Sequence, residues 1–138
     1  LQKEAAGLGL AGKVLFINGM PAKEVVHYLN LADALLITLK DEEIFKLTIP
    51  SKVQTSLALG RPIVAAINGE GAEVLAESGA LVGGAEKPIL LAKHLKNLSE
   101  EPEKNIKELC KNSLQYFNTN FARKFVIDEI ERSLRKLV

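Results

Sequence analysis

Tryptophan is absent from the 138 residues, cysteine and methionine occur once each, and aromatic residues make up 5% of the chain. So few rings leave little material for a platform on which single-stranded bases could stack. The 18 basic residues are balanced by 17 acidic ones for a net charge of +1. A nucleic-acid surface needs a clustered basic face, so no nucleic-acid partner is expected. The lone Cys110 excludes an internal disulfide and fits a reducing compartment; it reads as filler rather than as a nucleophile. No apolar run approaches the roughly 20 residues that span a bilayer, and no secretory leader is recognisable. His27 and His94 fall in amphipathic stretches and read as surface residues. No His, Cys and carboxylate cluster has metal-ligand spacing, so no metal is expected.

What is present is an apolar fraction of 47%, ordinary for a single globular domain long enough to bury a core. The opening LQKEAAGLGLAG reads as the end of a helix stopped by Gly7 and Gly9. The start at Leu1, inside a helical pattern, suggests a piece of a longer polypeptide. Lys13–Ile17 (KVLFI) is rich in strand formers and ends at Asn18-Gly19. Pro21 then opens a helix with Val25, Leu29 and Ala32 on one face. Ala34–Leu39 reads as a buried strand, Lys40–Ile49 as a charged connection, Pro50–Leu59 as a short helix and Pro62–Ile67 as the next strand. Asn68 to Gly71 (NGEG) reads as a glycine turn into another helix, and Ala80–Val82 as a brief strand. Pro88–Leu98 reads as amphipathic helix with Ile89, Leu91, Leu95 and Leu98 inward. After the polar break SEEPEK come two helices, about 103–118 and 121–137. The last carries Val126, Ile130, Leu134 and Leu137 at helical spacing, with Glu131 and Arg135 placed for an i,i+4 pair.

Strands that alternate with helices and are near-continuous apolar runs predict a Rossmann-like α/β fold, a parallel sheet with helices on both faces. Such sheets bind ligands beyond the carboxyl ends of their strands. The loops at Asn18–Met20, Lys40–Ser51 and Asn68–Gly71 fall on that edge.

One of them holds the oddest local feature, the run TIPSKVQTSLALGRP. A helix start carries roughly half a positive charge, which opposes a lysine in the first turn. Lys52 stands there with no acidic residue on the helix to offset it. Free helix N–H groups, the Ser51 hydroxyl and the Lys52 ammonium together would suit a phosphate. The plain alternative is that Lys52 reaches into solvent and Ser51 only caps the helix.

The order LGLAGKVLFING, LADALLITL and PSKVQTSLALGRPIVAAINGEGAEVLAESGA resembles the donor-binding half of GT-B glycosyltransferases. It is most similar to the GT4-type retaining enzymes of bacterial surface polysaccharide synthesis. LKDEEIFKLTIPSKVQTSLALGRPIV is especially like the branch that transfers amino- or deoxy-sugars. The resemblance extends to NFARKFVIDEIERSL, so it covers nearly all of residues 1–138. It implies the C-terminal part of a nucleotide-sugar binding domain. The partner would be an N-terminal acceptor-binding domain of the same polypeptide. No cofactor beyond the nucleotide-diphosphate sugar substrate is implied, and the fragment alone would be inactive.

By that resemblance the diphosphate lies at the helix start, with Ser51 and Lys52 in that role beside Pro50. Thr48 and Ile49 would offer backbone N–H groups. Thr55 and Leu47 stand where many relatives carry glutamates for the ribose and the sugar, so both of those carboxylates are missing here. Thr55 offers one hydroxyl in place of paired carboxylate acceptors. Asp41, Glu42 and Glu43 are either substitutes from the loop or a solvated charge run. Gly69, Glu70 and Gly71 match the loop that passes close to the donor, and Glu73 a position often acidic in relatives. A plain strand-to-helix turn and a helix-start charge are the alternatives. The final helix would lie across the partner domain or pack on its own. The implied setting is cytoplasmic, with peripheral attachment of the full-length enzyme at the inner face of a membrane. Two other classes remain open: a non-catalytic α/β nucleotide-binding or interaction module, and a GT-B-fold sugar-nucleotide 2-epimerase. The latter usually needs cleft carboxylates and histidine that have no counterpart here.

Overall fold

A computed structural model describes residues 1–137. Its centre is a parallel sheet of β1 (Leu35–Thr38), β2 (Ile63–Ala66) and β3 (Leu81–Gly83), in that spatial order. Leu35 stands opposite Ile63 and Val64 opposite Leu81. Helices flank this sheet on both faces, as the alternating pattern predicts: a Rossmann-like α/β arrangement.

Side chains along a strand alternate between faces, and β2 is buried on both. On one face Ile63, Ala65 and Ile67 join Ile37 in a core with Val53 and Leu57 of α4 (Ser51–Leu59) and Leu75 of α5 (Glu70–Glu77). Tyr116 and Phe117 of α7 (Glu103–Asn120) close this core together with Phe121. On the other face α6 (Pro88–Glu100) covers β2 and β3. It does not cover β1, where Leu36 is 54% exposed. Helix α4 ends on Gly60, whose φ of 59° is the left-handed conformation that glycine takes without strain. A Cβ there would stand 3.4 Å from the Leu114 Cβ, so α7 passes close over the end of α4.

The phenol of Tyr116 donates to Glu77 Oε2 at 2.6 Å and so fastens α7 to the end of α5. Burial, then this bond, push the phenol up to about 12 from its ordinary 10.0. The folded value is the raised one, so the stabilisation is complete below pH 10.0 and is lost as pH climbs through about 12. Urea melts of the wild type should therefore show stability falling across that window. Tyr116→Phe should show a flatter profile and lose about 1 kcal/mol at neutral pH.

Several boundaries differ from the sequence reading. Lys13–Ile17 is not a strand. The Lys13 and Val14 amides both bond to Leu10 O in a turn that Gly12 permits with φ 77°. Val14 to Ile17 are all exposed, and β1 pairs only with β2 among the described residues. Strand propensity is realised only where a neighbouring strand supplies the ladder. Upstream of it, α1 (Gln2–Gly7) stops at the expected glycines. Helix α2 (Ala22–Leu31) follows Pro21, with Leu29 and Ala32 half-buried but Val25 exposed. Arg61 ties the end of α2 by donating to Asn30 O.

The charged connection contains one helical turn, α3 (Glu43–Lys46). Glu70 and Gly71 belong to α5 rather than to a turn, and the break between α6 and α7 shrinks to Glu101-Pro102. Ile89 at 87% and Leu95 at 39% are exposed rather than inward, because the inward line of α6 runs through half-buried Leu91 and buried Leu98. In α8 (Arg123–Arg135) the expected Glu131–Arg135 pair is not formed; Arg132 bonds Glu129 instead. Exposed pairs of either kind are worth only about 0.3–0.5 kcal/mol, so small rotamer differences choose between them. The apolar line of Val126, Ile130 and Leu134 exists but stays exposed. No helix among the described residues is long and apolar enough to cross a membrane.

Candidate functional site at the carboxyl edge of the sheet

The connection from β1 to α4 leaves the carboxyl end of the sheet and returns through α3. Lys46, at the end of that turn, bridges Glu43 at 2.7 Å and Asp41 at 3.2 Å. Glu43 and then Asp41 hold its ammonium more firmly protonated than an ordinary lysine. The chain then runs extended through Pro50, at φ −62° and ψ 142°, into α4. Pro50 is the cap residue and offers no side-chain acceptor, so Ser51 is the first helical residue and makes no capping bond. The plain alternative, that Ser51 only caps the helix, is thereby set aside. Val53 donates back to Pro50 O at 2.9 Å, while the Ser51 and Lys52 amides precede the first intrahelical partner.

Lys52 is exposed and makes no ion pair among the described residues, and the first turn of α4 has no acidic residue. The contrast lies in α5, whose first turn carries Glu70 and Glu73, the charges that a helix start favours. Both glutamates are exposed, so helix-start charge accounts for them. Thr55 is less available than expected, because its hydroxyl donates to Ser51 O at 3.0 Å. Thr48 likewise donates to Ile44 O at 3.1 Å. Leu47 is exposed, at 75%.

Structure brings the two predicted loops into contact. A Cβ on Gly69 would fall within 2.6 Å of the Lys46 carbonyl carbon. A Cβ on Gly71 would be 3.2 Å from Pro50 Cδ and 3.7 Å from Thr48 O. Small residues are required here so that the start of α5 can lie against the segment leading into α4. Thr48, Pro50, Gly69 and Gly71 thus form one lip, from which Ser51 and Lys52 begin α4 and Glu70 begins α5. Ile49 is half-buried behind it, packed against the core.

Sequence reasoning missed what ties this lip together. Asn68 donates from Nδ2 to Asp41 Oδ1 at 2.9 Å and accepts from the Ala85 amide at 3.1 Å. The Asn68 amide first, then the Lys46 ammonium, hold the Asp41 carboxyl below its usual range. Asp41 and Glu43 therefore serve Lys46 and Asn68 and do not stand free to replace the missing glutamates. The Glu43–Lys46 spacing was a legible signal; the Asn68 bonds reach 27 and 17 residues along the chain and had none.

Beside the lip, a groove of about 330 Å³ runs between Thr38, Lys40 and Ala66 on one side and Lys87 and Leu91 on the other. A larger open hollow of about 680 Å³ near Leu1, Leu8 and Phe16 is almost wholly apolar and lies on the amino-terminal segment. It gathers no convergent polar groups, which a specific small-molecule site requires. His27 lies exposed on α2 and His94 half-buried on α6, and no metal-holding cluster occurs among the described residues. No family model, no curated protein and no solved structure matches this chain.

Proposed function

We propose that the chain is the donor-binding domain of a glycosyltransferase that draws on a nucleotide-diphosphate sugar. The observation that carries this reading is the uncompensated Lys52 at a free helix start, set at the carboxyl edge of a parallel sheet. The resemblance described above supplies the reaction class. Transfer breaks the bond between the anomeric carbon and the diphosphate oxygen and forms one to an acceptor hydroxyl oxygen, whose proton passes to a base. Negative charge grows on the departing diphosphate as the bond breaks. The Ser51 and Lys52 amides, the Ser51 hydroxyl and the Lys52 ammonium would meet that charge without reorganising, as oxyanion-type donors do. Glycines at 69 and 71 would let backbone approach the donor. The acceptor and the base fall to the implied N-terminal domain, with a glycan or lipid-linked acceptor as the expected class.

A second reading is favoured by one observation. Thr55 is bonded to its own helix, and Asp41 and Glu43 are engaged by Lys46. Neither family glutamate position therefore offers a carboxylate, and of the three loop acids only Glu42 has no partner among the described residues. A module that binds an anion without transferring a sugar fits that arrangement.

Amide chemical-shift mapping with UDP-, GDP- and dTDP-sugars tests the donor site. The largest shifts are expected at Ser51, Lys52 and Gly69–Gly71 for one nucleotide of the set. Shifts centred on α7 or α8, or none with any donor, would sink the assignment. Binding without hydrolysis or transfer, once an acceptor domain is supplied, would favour the module.

A further inference from the structure

We propose that Asn68 is a positioning residue for this lip, fastening the loops after β1, β2 and β3 so that the start of α4 meets Gly69–Gly71 in one fixed arrangement. The proposal uses the donor-site reading only to say what the positioned groups hold.

The loop after β2 contains Asn68 itself. Its Nδ2 reaches Asp41 in the loop after β1 at 2.9 Å, and its Oδ1 takes the Ala85 amide in the loop after β3 at 3.1 Å. Ala85 is 3% exposed, so its N–H needs a protein acceptor. The chain of contacts then closes on itself. Asp41 holds the Lys46 ammonium, and the Lys46 carbonyl lies against Gly69, the covalent neighbour of Asn68. Only a few residues separate Lys46 from Pro50, which caps α4 and touches Gly71.

The chemistry suits a carboxamide. One side chain donates to a carboxylate and accepts from an amide at once, and a carboxamide does so through two separate atoms where a hydroxyl has only one. Aspartate at 68 would keep the bond from Ala85 but face Asp41 with a second carboxylate. Exchanging the two groups, with Asn at 41 and Asp at 68, would keep both bonds.

That exchange gives the test, on the intact chain. Amide hydrogen exchange is followed for Ala85 and for residues 41–47 in wild type, N68A, N68D, D41A and the D41N/N68D pair. N68A should speed exchange at Ala85 by about tenfold or more, the scale of one lost buried hydrogen bond. D41A should loosen 41–47 yet leave Ala85 protected. N68D should loosen 41–47, and the double variant should be more protected there than N68D, short of wild type because Asn at 41 gives Lys46 no carboxylate. Titration with UDP, GDP and dTDP should follow the same order, N68A and N68D weak and the pair partly recovered. Unchanged exchange at Ala85 in N68A, or a pair as loose at 41–47 as N68D, would overturn the proposal. Should N68D fail to fold, N68A and D41A still decide it. If wild type binds none of the nucleotides, the donor reading fails, and exchange alone upholds or overturns the positioning role.

Discussion

Gly69→Ala is expected to destabilise the domain by about 3–4 kcal/mol, from backbone strain plus overlap. Gly69 adopts φ 75° and ψ −156°, a region that is nearly glycine's alone. A methyl group there would lie within 2.6 Å of the Lys46 carbonyl carbon. Backbone cannot rotate aside as a side chain can, so the loop into α4 or the start of α5 must shift. For a chain of 138 residues the melting point should fall by roughly 10–15 °C. Gly71→Ala makes the informative comparison. Its new Cβ would meet Ile67 Cδ1 and Pro50 Cδ at 3.2 Å, contacts that small movements relieve. A cost of about 1 kcal/mol is expected there. Thermal melts of the two variants side by side check the packing of the two loops. Equal melting points would mean that the loops do not meet as described.

Leu57→Ala should cost about 2–5 kcal/mol, the range for a leucine removed from a rigid core. Leu57 is 0% exposed and belongs to the cluster with Val53, Ile63 and Leu75. Its consequence reaches the lip, because α4 has only nine residues and is anchored by Val53, Ser56 and Leu57. A helix this short owes its stability to packing rather than to its own propensity. Loss of Leu57 should therefore weaken nucleotide binding as well as stability. Ala58→Ser, on the exposed side of the same turn, should change neither. Chemical denaturation measures the first effect, and a loss smaller than about 1 kcal/mol would contradict the packing of α4.

Most of the architecture was legible because it rests on short-range pattern. Near-continuous apolar runs at Leu35–Thr38 and Ile63–Ala66 both form strands, the second buried on both faces and the first on one, and Gly60 ends α4 by its backbone freedom. Lys13–Ile17 failed on the same logic, since an apolar run becomes a strand only with a partner beside it. Ile89 failed because the inward line of α6 is set by what α6 packs on, not by hydropathy alone. That the loops at Lys40–Ser51 and Asn68–Gly71 meet at one edge was legible from topology. The internal wiring of that lip was not. Asn68 looked like a turn residue, and nothing in its neighbourhood names Asp41 or Ala85 as partners. The plain alternative of Ser51 as a mere cap does not hold, because Pro50 takes that place here.

The central claim is that the α4 start binds the diphosphate of a nucleotide donor. Calorimetric titration of wild type and Lys52→Ala with UDP, GDP and dTDP tests it most directly. The account expects one nucleotide to bind wild type and the variant to bind it at least about tenfold more weakly, with an unchanged melting point, since an exposed lysine contributes little to stability. Equal affinity in the two proteins, or binding of none of the three by wild type, would contradict it.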